Sequence, residues 1–249
     1  MLKNLLPLLL VLMSGFSASA QSWRSMTWEV HLGIGSAKYF GDIGGTPHEN
    51  NWYGIRDLDI LRTRPSAVGG IRYNYNRYIS FNGTAALGWL SGSDTGGKNH
   101  SRDYIFNTII FEPTARLEFY PLRDLSVGSG VDRQGLVRNY VTLSAFLFGG
   151  AGAVLYHVNP NDKLQARQER DNISYSPLTM VIPAGIGVQI GIRNFIDIGF
   201  EIGGRYAFND FLDGFTSPTS TANDIYYISS ITLVYRIRKN LPPELPVIR

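Results

Sequence analysis

Few residues in this chain have the chemical capacity for catalysis: four histidines, His31, His48, His100 and His157, and no cysteine. Without thiols there is no thiolate nucleophile, disulfide, cysteine metal site or lipid-bearing N-terminal Cys. His100-Ser101-x-Asp103 contains the residue types of a base, a nucleophile and an orienting acid. Those groups must meet in space, and adjacency within one Ser/Asp-rich loop is a common accident. Asp210, Asp213 and Asp224 offer the oxygen ligands that suit a hard cation. Their spacing lacks the alternating acids, Gly and closing Glu of an ordered calcium loop, so solvated loop acids are the simpler reading. The Gly-rich strings 149–152 and 185–191 miss the dinucleotide spacing and open no helix. The expectation is no catalytic residue, no metal, no cofactor, no nucleic acid and no small-molecule substrate.

Other charged residues are ordered by alternation instead of by motif. Glu29, Arg72, Glu112, Arg116, Glu118, Glu201 and Arg205 each fall on the polar face of a two-residue period. Trp28, Val30, Leu32 and Ile34 alternate with Glu29, His31 and the glycines; Ile71, Tyr73 and Tyr75 with Arg72 and Asn74; Phe81, Leu87 and Trp89 with Asn82 and Thr84. Ile109, Phe111, Leu117 and Phe119 oppose Glu112, Arg116 and Glu118, with a bulge expected at Pro113, which cannot donate to a ladder. A fifth run, 140–156, is apolar or small on both faces. The last three place Ile186 and Ile190 against Gly187 and Gln189, Ile198 and Phe200 against Asp197 and Glu201, and Ile231 and Tyr235 against Ser230 and Arg236.

Eight strands result, joined by connections that are long at 41–65, 91–103, 157–177 and 209–224, short at 76–77 and 193–194, and intermediate at 121–139. This rhythm predicts an all-β, eight-stranded antiparallel up-and-down transmembrane barrel with long extracellular loops and mostly short periplasmic turns. So narrow a barrel has room only for side chains, and the seven charged residues would form a paired interior network rather than a pore lining. A water-soluble barrel would turn its apolar face inward. Trp28, Tyr73, Tyr75, Phe119, Tyr140 and Tyr235 on one rim, and Tyr39, Trp89, Tyr104 and Tyr226 on the other, are expected as interfacial girdles.

The ends agree with this topology. Residues 1–20 have Lys3, an apolar run and Ala18-Ser19-Ala20, the pattern of a signal peptide. Residues 21–238 are expected as the barrel and 239–249 as a proline-rich periplasmic tail, both termini being periplasmic. Without Lys3 the chain has 22 basic and 20 acidic side chains, too even a balance to point to nucleic acid or acidic lipid. The 121–139 connection, with Arg123, Asp124, Arg133 and Arg138, and the tail, with Lys239 and Glu244, are candidate partner contacts. An ordinary solvated turn and tail is the other reading.

Four segments carry a resemblance: Phe40-Gly41-Asp42-Ile43-Gly44-Gly45, 146–160, 182–187, and Glu201-Ile202-Gly203-Gly204-Arg205 followed by Asn209-Asp210-Phe211-Leu212-Asp213. The chain resembles the PorG-like family of outer-membrane barrels in the Bacteroidota type IX protein secretion system. In that family's pattern Thr and Tyr stand where this chain has Asn209 and Phe211. The resemblance implies a non-enzymatic barrel that ties the outer membrane to a periplasmic ring made of a lipoprotein and an associated protein. The alternative is a stand-alone structural or adhesion-type barrel whose outer loops, 46–64 and 159–176, bind ligands.

Overall fold

The computed structural model describes residues 27–40, 43, 63–94, 101–127, 130–131, 137–138, 141–173, 175–193, 195–216 and 223–237. The expected signal peptide and tail, His48, His100, Arg133, Tyr140, Lys239 and Glu244 lie outside them. In chain order the strands are β1 (Trp28–Phe40), β2 (Arg64–Asn74), β3 (Ile79–Ser93), β4 (Ile105–Val127), β5 (Gly130–Val131), β6 (Val137–Arg138), β7 (Val141–Pro160), β8 (Leu178–Arg193), β9 (Ile196–Ala207) and β10 (Ile225–Ile237). One helix, α1 (Asp162–Arg170), follows β7.

Eight of the strands close a barrel in the order β1-β10-β9-β8-β7-β4-β3-β2, every pair antiparallel, and β5 and β6 form a separate small hairpin. The wall has reversed polarity relative to a water-soluble barrel. Ile34, Leu32 and Ile231 are 75, 71 and 55% exposed on the outside, while Arg72 and Glu118 are 1 and 0% exposed within. The strands alternate because successive side chains point to opposite faces.

Several local expectations are corrected. Pro113 causes no bulge: it stands opposite Ala85, and the register with β7 is unchanged from Phe111↔Leu155 to Thr114↔Gly152. One missing donor interrupts a ladder without shifting it. The register shifts instead between Phe119 and Leu122 and between Leu122 and Leu125, beside Pro121 and the positive φ of Asp124. The stretch expected as a connection from Pro121 is therefore still β4 until Val127. The 157–177 connection is also partly structured. β7 continues to Pro160, and α1 begins where Asn161, its N-cap, accepts from the Leu164 amide at 3.1 Å. Tyr39 and Tyr226, expected in a girdle, are buried inside the barrel.

The interior has two parts. Toward the short turns it is charged. Toward the long loops it is an apolar core that includes Val68, Ala86, Leu90, Phe106, Ile110 and Val154, closed by Leu164 of α1 and by Leu212 and Phe215.

Candidate functional site

The charged half is built by register. Glu29 and Arg72 are direct partners across β1 and β2, Arg72 and Asn82 across β2 and β3, and Asn82 and Arg116 across β3 and β4. Inward alternation then aims all four side chains at one small volume. Arg72 sits at its centre: Nη1 bonds Glu29 Oε2 at 2.8 Å and Gln189 Oε1 at 3.0 Å, while Nε lies 2.5 Å from Glu118. Nη2 is 3.6 Å from Glu201, which also pairs with Arg116 at 3.0 Å. A planar guanidinium with five donors suits such a hub.

Five of the seven expected network residues, Glu29, Arg72, Arg116, Glu118 and Glu201, are thus joined. The other two form a separate group nearer the long loops. Arg205 Nε lies 3.4 Å from Glu112, which also accepts from Tyr226. Glu201 and Arg205, four residues apart on one strand, take different partners.

Arginine faces also rest on rings, Arg72 over Phe146 at 5.2 Å and Arg116 over Phe148 at 4.5 Å. The rings fit because β8 has no side chain opposite them: a Cβ at Gly187 would overlap the Phe146 ring, and one at Gly185 would come within 2.6 Å of Phe148 Cζ.

Sequence reasoning missed the floor of this network. Arg236 donates to Asp197 at 2.6 Å and to Asp124 at 3.0 Å. Arg123 bonds the Asn76 carbonyl at 3.0 Å, Ser80 at 3.1 Å and Asn74, with its cation 4.0 Å from the Tyr120 ring. Arg123 and Asp124 therefore point into the floor of the barrel. The signal is in the alternation, since Asp197 shares the polar face of β9 with Glu201 and Arg236 that of β10 with Ser230. Arg138 lies in β6.

The segment 209–213 forms a strap over the mouth. Asn209 donates to the Tyr156 hydroxyl at 2.9 Å, Asp210 accepts from Thr216 at 2.8 Å, and Phe211 stacks on Tyr175 at 5.6 Å. Leu212 inserts into the apolar core, its amide donating to Asp224 at 2.8 Å and its carbonyl accepting from Thr108 at 2.7 Å. Asp213 accepts from the Phe215 amide at 2.8 Å, and Asp224 also accepts from Tyr39. Asp210, Asp213 and Asp224 thus serve as hydrogen-bond acceptors. Among the described residues no group of three or more His, Cys, Asp or Glu could hold a metal ion.

His31 is buried inside the barrel, His157 is exposed on the outer face of β7, and Asp103 pairs with Lys163 at 2.7 Å.

A family model described as a domain of unknown function, DUF6089, matches residues 3–240. No curated protein matches. Among solved structures the fold is similar to three outer-membrane-type barrels. Neisserial surface protein A is 9% identical over 88% of this chain and 100% of that one, with a TM-score of 0.47. The outer membrane protein OprG from Pseudomonas aeruginosa is 7% identical over 86% and 97%, at 0.42. Ail, the attachment invasion locus protein of Yersinia pestis, is 13% identical over 86% and 99%, at 0.40. Likenesses this distant bring no activity with them.

Proposed function

The chain belongs to the DUF6089 family, and we propose that it is a non-enzymatic outer-membrane barrel of the type IX protein secretion system, anchoring a periplasmic ring complex. The reversed polarity of the wall carries the membrane half of this reading. A surface of Leu32, Ile34, Ile186, Phe200 and Ile231 fits hydrocarbon, and a charged interior fits the lumen of a barrel that hydrocarbon surrounds. A lumen filled with ion pairs and an apolar core supports an anchoring role over diffusion.

The secretion half is supported by the family resemblance of the segments around Phe40, 146–160, 182–187 and 201–213. In this reading the short turns and both termini face the periplasm. A secretion-ring lipoprotein and its associated protein would contact the hairpin end near Arg133 and Arg138 and the tail at Lys239 and Glu244. Arg123 and Asp124, engaged in the barrel floor, would support that surface from inside. Outer-membrane lipid is the remaining partner.

Deleting the gene from its host tests this reading. Loss of cargo export, with periplasmic ring subunits crosslinked through residues 130–138, is the expected result; normal export ends it. The folded cap of α1 and the strap at the long-loop end favours the second reading, a stand-alone structural or adhesion-type barrel. Capture of an extracellular ligand through 159–176, with export intact, would select that one.

A further inference from the structure

In the charged half of the barrel a group of polar atoms is buried without a hydrogen-bond partner among the described residues. His31 is 2% exposed, and neither ring nitrogen hydrogen-bonds to any group among the described residues. The same holds for Asn82 Oδ1 and for Arg116 Nε and Nη2, although Arg116 Nη1 holds Glu201 at 3.0 Å and Nη2 lies 3.6 Å from Glu118 in an ion pair. These atoms belong together. Asn82 stands directly opposite Arg116, and His31 directly opposite Gly70, on four consecutive strands β1 to β4. His31 lies where Gly70 has no side chain, since a Cβ there would come within 2.7 Å of its Cε1. It is close enough to feel the charges of Arg72, Glu201, Arg116 and Glu29.

By register His31, Gly70, Thr84 and Thr114 form the next inward row toward the long loops from Arg72, Asn82 and Arg116, and the two threonine hydroxyls bond each other at 2.6 Å. Small side chains and unmet polarity therefore coincide in these two rows. Leaving buried donors and acceptors dry is costly, and native proteins meet such groups with water where the protein does not.

We propose that the charged half of the barrel has a binding site for a small cluster of buried water, held by His31, Asn82 and Arg116. Water is the ligand because the site needs both senses of hydrogen bond. Arg116 offers donors, Asn82 Oδ1 needs a donor, and the imidazole offers one of each. An anion would satisfy Arg116 but face Asn82 Oδ1 and the carboxylates of Glu118 and Glu201. A cation would meet the reverse conflict. Bound water joins His31 to the Arg116–Glu201 pair, making the imidazole part of the interior network.

Synchrotron hydroxyl-radical labelling of the full barrel folded in detergent micelles tests the site, because radicals form from bound water in place. His31 is expected to be oxidised at a rate comparable to the exposed Trp28, despite its burial. An unlabelled His31 beside a labelled Trp28 overturns the proposal. In Asn82→Leu, with folding checked by heat-dependent migration on gels, the His31 label should fall severalfold, and an unchanged label counts against the site. Bromide soaked into crystals should give no anomalous peak between Arg116 and His31; a peak there would replace water with an anion. Should Asn82→Leu fail to fold, wild-type labelling and the bromide soak still decide.

Discussion

Arg236, next to the last residue of β10, donates to Asp124 at 3.0 Å and so ties the final strand to the extension of β4, four strands away around the barrel. A contact of this kind closes the floor of the charged interior. Asp124→Ala leaves Arg236 with Asp197 and should cost about 1.5–3 kcal/mol, the range for a hydrogen bond to a charged group. Urea unfolding of the barrel in lipid vesicles measures it.

Arg72 holds three carboxylates, so its loss is expected to be the most damaging in the interior. Arg72→Leu leaves Glu29, Glu118 and Glu201 buried with too little positive charge and should destabilise by about 3–5 kcal/mol. Arg72→Leu combined with Glu118→Leu should cost less than Arg72→Leu alone, because an apolar pair leaves fewer orphaned charges. The same unfolding measurement on both variants decides.

Gly187 makes room for the Phe146 ring, and the atoms that a Cβ there would meet all belong to that side chain. Gly187→Ala should destabilise by about 1–3 kcal/mol through overpacking. Phe146→Leu should recover much of that loss in a double-mutant cycle, and additive effects would refute the steric explanation.

Ile231 points outward in the wall and should face the middle of the bilayer. Ile231→Arg is expected to cost about 2–4 kcal/mol in vesicles, whereas the same change in an aqueous loop costs little. A neutral outcome would remove the case for a lipid-facing wall.

Leu212 is the strap's insertion into the core. Leu212→Ala should destabilise by about 2–5 kcal/mol by opening a cavity at the mouth. A change below that range, read from the temperature at which the heat-resistant folded band disappears on gels, would mean the strap is not a packed part of the barrel.

Alternation alone determined the strand number, the inward and outward faces, and the membership of most of the charged interior, because a period of two assigns each side chain to one face whatever surrounds it. It placed Trp28–Phe40 as the first strand, and it placed Arg72 and Glu118 inside. Local sequence could not say which charges meet. Arg72 reaches Gln189, and Arg116 reaches Glu201, only because closure of the sheet brings distant strands together, and Glu201 and Arg205 share a face yet take different partners. Tyr39 and Tyr226 read as rim aromatics by type, but inward alternation and the carboxylates of Asp224 and Glu112 drew them in. The apolar upper interior was equally hidden, since Leu212, Leu164 and Phe106 come from separate segments and become one core only when the long-loop cap folds over the mouth.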